Sequence, residues 1–170
     1  ADYGVYCENT TLHSYLNHFD NFQPFNGNPS FAMFLNNSNN SLIGDLSLNN
    51  TNDFQNCEYG VFGIISGFNC EGNVFNFCKI GVVNAINRSL VSISGNIMLN
   101  MNSGILSFLN IFSSVNISDN YIITIDDGTT TNFGIGVSDW NTTFFTSTPT
   151  IILKNTSHSM GGSGIYSRTN

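Results

Sequence analysis

The chain has few charged residues and very few cations. Charged side chains make up 9% of its 170 residues, and the formal net charge is −7. The four cations, Lys79, Arg88, Lys154 and Arg168, are scattered along the sequence. Binding to nucleic acids needs clustered basic side chains to neutralise phosphates, and anionic membrane surfaces need the same. Both kinds of partner are therefore disfavoured.

The sequence also lacks long apolar runs and helix-forming segments. Its most apolar stretch, residues 97–112, is interrupted by Asn100, Asn102 and Asn110, so we expect no insertion into a membrane. Ala, Glu, Lys and Arg are scarce, whereas Gly, β-branched residues and Asn, with 28 copies, are abundant. Composition thus favours strands, with solubility supplied by neutral polar side chains.

A short motif recurs along the chain, in which a β-forming residue follows a glycine. In three copies Asn73, Asn96 and Thr156 stand eight residues before Gly81, Gly104 and Gly164. Such self-similarity indicates one supersecondary unit stacked on copies of itself. The expected glycine positions are Gly4, Ser30, Gly60, Gly81, Gly104, Gly134 and Gly164, and the expected turn positions are Thr51, Asn73, Asn96, Asn120 and Thr156.

Stacking of these units predicts columns of like side chains inside the fold. Three apolar columns are expected: Val61, Val82, Ile105, Ile135 and Ile165; Phe68, Val91, Val115 and Ile151; and Cys70, Ile93, Ile117 and Leu153. The turn asparagines are expected to form an amide ladder at a corner, where Asn tolerates a left-handed backbone. At about 4.8 Å per coil, the stack makes a rod roughly 30 Å long.

The combination of a glycine followed by Ile or Val, a Val-x-Ile strand and an Asn turn resembles the right-handed parallel β-helix of the pectin-lyase-like superfamily. The resemblance covers residues 46–166 well and residues 1–45 poorly. It implies one all-β domain over residues 1–170, a solenoid of about seven coils of 21–30 residues. Residues 1–45 are expected to form irregular first coils or an N-terminal cap, and residues 46–166 regular coils. The superfamily spans lyases, hydrolases, viral tailspikes and adhesins, so the fold does not fix an activity.

The cysteines suggest one disulfide. Cys57 and Cys78 each stand three residues before their glycine, which places them on adjacent coils within reach of a disulfide. The alternative is two reduced thiols in a core column. Cys70 is expected to be a buried thiol, and Cys7 could pair with any of the others. No Cys-x-x-Cys motif or His cluster is present, so we expect no metal and no cofactor.

Asparagines in Asn-x-Ser/Thr motifs suggest N-glycosylation. There are eight, where chance in so Asn-rich a chain predicts about five or six, and most fall at predicted corners or loops. The chain starts at Ala1 without a signal peptide, as expected for a mature secreted product or a fragment. We therefore expect an extracellular or surface-exposed protein, with covalent N-glycans if its source is a eukaryote or a eukaryotic virus. The acceptors are Asn9, Asn36, Asn39, Asn49, Asn87, Asn116, Asn141 and Asn155.

A candidate ligand loop lies in the long coil between Asn120 and Thr156. Extra residues there surround Asp126 and Asp127, and again Asp139 and Trp140. Function in solenoids sits in such insertions, and an exposed Trp between polar residues suits the apolar face of a sugar ring. The alternative is a Trp that caps its own loop.

The same loop holds the best candidates for catalytic carboxylates, as glycoside hydrolysis requires two acids. Adjacent Asp-Asp-Gly, however, is typical of a turn or a loose calcium site. The Gly-His-Gly and Arg-x-Lys elements of the superfamily's hydrolases and the clustered cations of its lyases are missing. We therefore expect no catalytic residue.

The two ends of the chain resemble each other. Residues 3–6, Tyr-Gly-Val-Tyr, match the phase of residues 164–166, Gly-Ile-Tyr. An uncapped terminal coil exposes a sheet edge that other strands can pair with. Either the chain is a piece of a longer solenoid, or the first coil of one subunit stacks on the last coil of another. The leading expectation is a structural subunit of a fibre, filament or surface appendage, whose partners are copies of itself or flanking β-helix segments. The alternatives are a carbohydrate-binding or carbohydrate-cleaving β-helix (tailspike, adhesin or polysaccharide-degrading enzyme) and a passive spacer.

Overall fold

The protein is a stack of parallel strands in three sheets. The computed structural model describes residues 1–86, 89–109, 114–125, 132–139, 150–159 and 163–169. Within these ranges the chain forms strands β1 to β19, numbered in chain order, and no helix. Every pairing between these strands is parallel. Accordingly, no helix in the described part is long and apolar enough to cross a membrane.

Each sheet contains every third strand of the chain. The first sheet contains β1 Asp2–Glu8, β4 Ser30–Asn36, β7 Tyr59–Ile64, β10 Ile80–Ala85, β13 Ser103–Phe108, β16 Phe133–Asp139 and β19 Ser163–Thr169. The second contains β2 His13–Ser14, β5 Ser41–Ile43, β8 Phe68–Glu71, β11 Val91–Ser94, β14 Val115–Ser118 and β17 Thr150–Leu153. The third contains β3 His18–Asp20, β6 Asp53–Gln55, β9 Val74–Asn76, β12 Ile97–Met101, β15 Tyr121–Thr124 and β18 Thr156–Ser159.

This topology is a parallel β-solenoid and confirms the predicted fold class. Consecutive strands lie in different sheets, and each pairs with the equivalent strand one coil away, as Ile93 does with Ile117. The seven predicted coils correspond to the seven strands of the first sheet, while the other two sheets have six strands each. Residues 1–45 take part in the stack, because β1 to β5 pair in parallel with the strands that follow.

The glycine position of the second coil was predicted wrongly. Asp2 pairs with Ser30, so the residue opposite Gly4 is Ala32, and the same register places Ala32 opposite Gly60. Space at this position is narrow: a Cβ at Gly60 would lie 2.6 Å from the carbonyl oxygen of Gly81 and 2.7 Å from the ring of Phe75, so only glycine fits in that coil. The second coil has alanine, the next smallest residue, at the equivalent position, and Ala32 is fully buried.

The first apolar column is confirmed, whereas the other two shift by one residue in the last coil. Val61, Val82, Ile105, Ile135 and Ile165 lie opposite one another along the first sheet. In the second sheet Ile152 lies opposite Ile117, so Ile151 and Leu153 lie opposite Asn116 and Ser118. A shift of one residue reverses the face that each residue of a strand occupies, so Ile151 and Leu153 leave the predicted columns.

The third sheet contributes an interior column that the sequence patterns did not reveal. Its members are Phe19, Phe54, Phe75, Met98 and Ile122, all buried. The rings of Phe54 and Phe75 stack at 4.6 Å between centroids, and those of Phe19 and Phe54 at 5.0 Å. Short strands of three to five residues give too little alternation to detect such a column from the sequence.

The corner between the second and third sheets holds the predicted amide ladder. Backbone N–H and Nδ2 of Asn73 both donate to Oδ1 of Asn96, at 2.9 and 3.2 Å. The same two groups of Asn96 donate to Oδ1 of Asn120, at 3.0 and 2.9 Å. Each Nδ2 also donates to a carbonyl one coil back, as Asn96 does to Cys70 at 2.8 Å. The full ladder is longer than predicted: Asn17, Asn52, Asn73, Asn96, Asn120 and Asn155.

Two predicted turn positions are therefore wrong by one residue, since Asn52 and not Thr51, and Asn155 and not Thr156, belong to the ladder. A primary amide can accept a hydrogen bond from one coil and donate one to another, whereas a threonine hydroxyl has only one proton to donate. The ladder asparagines are also not the left-handed residues. A positive φ falls on the residue before them, as at Gly72, Gly95 and Asp119.

Candidate functional site

Most of the predicted ligand loop lies outside the described residues. This applies to Asp126, Asp127 and Trp140, whereas Asp139 ends β16 opposite Thr169. The sugar-binding interpretation of this loop therefore stays a prediction. Elsewhere in the described ranges, no group of three or more His, Cys, Asp or Glu side chains is placed to hold a metal ion.

The four cysteines are buried free thiols. Cys57 and Cys78 lie on adjacent coils, as predicted, and both are free thiols in the structure. The Cys57 thiol donates to the carbonyl of Gln55 at 3.1 Å, and the Cys78 thiol donates to the carbonyl of Phe54 at 3.4 Å. The interaction between the two neighbouring thiols, together with burial, raises the pKa of Cys57, and the same interaction lowers the pKa of Cys78. Burial raises the pKa of Cys70. The thiols are therefore part of the core in this structure, and whether the pair oxidises stays a prediction.

The predicted glycosylation sites differ in what their amides do. Asn9, Asn39 and Asn49 are exposed, and Asn116 is half-buried between the buried residues Val115 and Ile117 of β14. These four are on the outside of the solenoid, where a glycan is tolerated.

At two other predicted glycosylation sites the Nδ2 atom itself donates a hydrogen bond, and two more lie outside the described residues. Asn36 is half-buried, and its Nδ2 donates to Glu8 Oε1 at 2.9 Å. Asn155 holds the last rung of the ladder, and its Nδ2, the atom that a glycan would occupy, donates to the carbonyl of Ile117 at 2.9 Å. Asn87 and Asn141 lie outside the described residues.

The strands of the first coil pair on one side only. β1, β2 and β3 stand at the ends of their three sheets, and we call this surface the head end. Its outermost aromatic side chains are Tyr3 and Tyr6, which are 42% and 47% exposed. Nothing in the described part of the chain pairs with the outer edge of β1. Among the described residues, the outer edge of β1 is therefore a row of backbone groups without a partner strand.

The opposite end has the same character. β17, β18 and β19 each have one partner strand, and we call this surface the tail end. Ile165 and Tyr166 in β19 are 52% and 41% exposed, although Ile165 continues the buried column of Ile105 and Ile135. The apolar residue is exposed because the described chain supplies no coil beyond it.

The amide ladder gives the stack a direction. From Asn17 to Asn120, each ladder asparagine donates its backbone N–H to the Oδ1 of the next asparagine toward the tail, as Asn17 does to Asn52 at 3.1 Å. The direction belongs to these bonds between asparagines, since the Nδ2 groups also donate one coil back. Oδ1 of Asn17 accepts no hydrogen bond from any described residue. The head end thus presents an acceptor, which suits the donors of a preceding rung.

An aromatic cluster on the first sheet was missed by sequence reasoning. Tyr3, Phe31 and Tyr59 stack in one row, and Tyr6, Phe34 and Phe62 in a second, with centroids 4.9–5.7 Å apart. The sequence signal was present as a pair of aromatic residues three positions apart in each of β1, β4 and β7, which are neighbours in the first sheet. Ring faces within each row cover one another, so the faces free for a further ring are those of Tyr3 and Tyr6 at the head end.

A polar cavity of about 230 Å³ lies beside the second sheet. Its lining includes neutral polar side chains and three apolar ones, among them Asn39, Asn40, Asn69, Ser89, Leu42, Phe68 and Leu90. None of the described residues that line the cavity is charged, so this lining fits a neutral hydroxylated molecule better than an ion. Asn39 Oδ1 already accepts from the backbone N–H of Gly67 at 3.0 Å.

In comparisons with known proteins, no family model, no curated protein and no solved structure matches this chain. The parallel β-solenoid therefore rests on the strand pairing alone.

Proposed function

We propose that this protein is a structural β-solenoid subunit of an extracellular fibre or surface appendage, which associates end to end through its open coils. The single observation that carries the proposal is that the head and tail ends each present edge strands paired on one side only. An open edge in register with the next coil is a template for another strand. The partner is a copy of this chain or a flanking β-helix segment.

The contact expected from such ends propagates. A head-to-tail contact joins two different surfaces, so it leaves a free head and a free tail after every addition and builds a filament instead of a closed dimer. The one-way amide ladder supports this polarity, since a head placed against a head would bring acceptor to acceptor.

We further propose an extracellular setting with glycans on the outer face. Asn9, Asn39, Asn49 and Asn116 support this, because their side chains stand outside the core and outside the ladder. Membership of the pectin-lyase-like superfamily is also part of the proposal, supported by the coil pattern and not by any matching relative.

The test is assembly as a function of concentration. Sedimentation velocity and negative-stain images of the full chain should show rods of increasing length, at least after annealing a few degrees below the unfolding midpoint. Val5→Lys, which places a charge on the edge strand β1, should abolish the rods. Ser92→Lys, at a half-buried position of the central strand β11, is the matched control and should leave them. Monomers at every concentration, annealed or not, would overturn the proposal.

A second candidate is binding of a neutral carbohydrate in the cavity beside the second sheet. The uncharged lining of asparagines, serine and leucine favours it. Titration with a panel of neutral oligosaccharides should give saturable binding that Asn69→Ala weakens about tenfold, the effect of losing about one hydrogen bond. Asn116→Ala, in the same column two coils away and outside the cavity, should bind like the parent. Equal loss in both variants would contradict this candidate.

A further inference from the structure

The outer face of the first sheet is apolar along its whole length. In each strand the residue after the interior column, such as Phe62 after Val61, points outward. We call the column of these outward residues the outer column. From coil to coil its members are Tyr6, Phe34, Phe62, Val83, Leu106, Gly136 and Tyr166. A contiguous apolar patch on the surface of a protein is typical of an interaction site.

The outer face of the second sheet shows that this apolar character belongs to one face and not to the whole surface. The equivalent outward column there contains the polar residues Asn69, Ser92 and Asn116. In the first sheet, by contrast, β4, β7, β10 and β13 contain no charged residue. Because the chain has a net charge of −7, an uncharged apolar face is where a second copy approaches with the least repulsion.

The outer column is high on one side and low on the other. On β4 and β7, the half-buried rings of Phe34 and Phe62 stack at 5.4 Å between centroids and form an aromatic ridge. On β16 the same position is Gly136, where an apolar recess of about 130 Å³ opens, lined by Leu106 and Phe133 among others. An apolar cavity of about 150 Å³ binds benzene, so the recess suits one aromatic side chain.

The ridge and the recess stand at equal distances from β10. In sheet order, Phe34 lies two strands before β10 and Gly136 two strands after it, while Phe62 and Leu106 lie one strand on either side. A twofold axis through Val83 of β10, parallel to the strands, therefore places Phe34 of each copy over Gly136 of the other. It also places Phe62 over Leu106. An axis along the stack would instead place ridge on ridge and recess on recess.

We propose that the outer face of the first sheet binds a second copy of this chain, with the two stacks antiparallel and related by a twofold axis through β10. The inference goes beyond the proposed function and does not rest on it, because this face lies on the side of the stack. Phe34 and Gly136 fix the axis, so coils added at either end would only lengthen the contact. Both copies use the same surface, so the contact closes at two chains.

The face is large enough for a stable dimer. Seven strands at about 4.8 Å and about six residues per strand at about 3.3 Å cover roughly 30 Å by 20 Å. Two such faces have a footprint of about 1,200 Å², which is the lower limit for specific interfaces, and the projecting rings make the accessible area larger. Aromatic side chains that fill recesses of the partner contribute a large share of such an interface's affinity.

The first experiment places a charge on this face in the full chain. In sedimentation velocity at about 1–100 μM, the parent should form dimers. Leu106→Lys puts a charge opposite Phe62 and should weaken the dimer about a hundredfold or more, because a charge buried without a partner is costly. Ser92→Lys, at a half-buried outward position of the second sheet, is the matched control and should dimerise like the parent. Circular dichroism of both variants should retain the β spectrum of the parent.

A charge exchange tests the antiparallel register. Phe62→Glu alone should also prevent dimers. Mixed in equal amounts, Phe62→Glu and Leu106→Lys should form mixed dimers, because the introduced acid and base face each other across the axis. Phe62→Glu mixed with Ser92→Lys should give far fewer, since its acid has no basic partner. Absence of mixed dimers in the first mixture would overturn the antiparallel register.

Filling the recess tests the place of the Phe34 ring. A Cβ at Gly136 would lie 2.9 Å from Cδ2 of Leu106, the end of a flexible side chain, so the fold should accept Gly136→Val. We expect an unchanged urea midpoint and a dimer weakened about tenfold, because the ring loses its recess. A dimer as strong as that of the parent would overturn the insertion of Phe34 at Gly136.

The outcomes separate this inference from the proposed function. Growth from end to end has no upper size, whereas the twofold contact stops at two chains. Rods one solenoid wide, with Val5→Lys monomeric, would overturn the lateral dimer and leave the structural function standing. Dimers of both the parent and Val5→Lys, without rods, would do the reverse. Equal weakening of the dimer by Leu106→Lys and Ser92→Lys would overturn the outer face as the interface.

Discussion

Two corners of the solenoid solve the same problem of backbone direction in different ways. At the corner between the second and third sheets, the left-handed residues of the third and fourth coils are Gly72 and Gly95, and the next residue in each is a ladder asparagine. At the corner between the first and second sheets, the left-handed residues include Ile65 and Ile86. A positive φ is unfavourable for a β-branched side chain and unproblematic for glycine. The backbone direction at the corner between the second and third sheets is therefore specified by the local sequence. At the corner between the first and second sheets, it is imposed by the strands on either side.

The difference lies in which interactions fix each corner. Every interior amide of the ladder has its hydrogen bonds satisfied. The stability of the corner between the second and third sheets is therefore sensitive to any change of side chain there. The corner with Ile65 and Ile86 is held by backbone bonds such as Ile65 N–H to the carbonyl of Ala85, at 3.1 Å. Such a corner tolerates unsuitable residues, because the backbone bond does not depend on the side chain.

The largest effect is expected from breaking the ladder. Asn96→Ala leaves both donors of Asn73 without their acceptor, and the acceptors Asn120 Oδ1 and the Cys70 carbonyl without one of their donors. At about 1–3 kcal/mol for a buried group left unpaired, we expect a loss of about 4 kcal/mol or more in the free energy of unfolding by urea. Asn69→Ala, on the outer face of β8, is the control and should cost less than about 0.5 kcal/mol. Similar losses in both variants would contradict the ladder.

The next largest effect is a loss of stability at alkaline pH, which we expect from the Cys70 thiol packed beneath the ladder. Burial raises the pKa of Cys70, so the folded state binds its proton more tightly than the unfolded state does. Stability is then complete below the unfolded pKa of about 8.5 and falls above it, by up to about 1.4 kcal/mol per pH unit. Urea unfolding between pH 8 and 9.5 should show this slope, and Cys70→Ala should reduce it. Val91 is equally buried but has no titratable group, so Val91→Ala should keep the slope of stability against pH.

A smaller, opposite effect is expected at the corner between the third and first sheets. Phe77 has φ of 52° and is 58% exposed, whereas the neighbouring coils place Asn56 and Asn100 at the equivalent position. Phe77→Asn should therefore raise stability by about 1 kcal/mol, because Asn adopts this backbone more readily. Leu90→Asn, another exposed apolar position without a positive φ, should leave the urea midpoint unchanged. A loss of stability in Phe77→Asn would show that the ring contributes contacts that outweigh the strain.

The smallest effect is expected at the insertion that widens the first corner. The Asp45 carboxylate accepts from the hydroxyl and backbone N–H of Ser47 and from the N–H of Leu48, which lowers its pKa. Because the pKa of Asp45 is lower in the folded state than in the unfolded state, its carboxylate stabilises the fold above about pH 4. This stabilisation is lost as the pH falls through the pKa of the folded state. Asp45→Ala should thus lower the urea midpoint slightly at pH 7 and have less effect near pH 3. An equal change in the urea midpoint at pH 7 and near pH 3 would show that the effect does not come from the charge of Asp45.

Sequence patterns predicted the interior best where coils are short and regular. Between Gly60 and Asn120, the glycine positions, the Val-x-Ile strands and the asparagine turns all fall where predicted. Prediction was off by one or two residues where a coil carries an insertion, at Ala32, Asn52 and Asn155. Insertions remove the fixed spacing on which the alignment depends, and one slipped residue moves every side chain of a strand to the other face.

Local sequence thus determined that this chain forms stacked parallel strands, because alternating apolar residues, small residues at the tight position and asparagines at a turn recur at one period. Only the tertiary structure decided which strands pair at the ends, that the first sheet has one strand more than the others, and that Tyr3 and Tyr6 begin two rows of stacked rings. These features depend on the register between residues about 28 positions apart, and that register follows from the packing of whole coils.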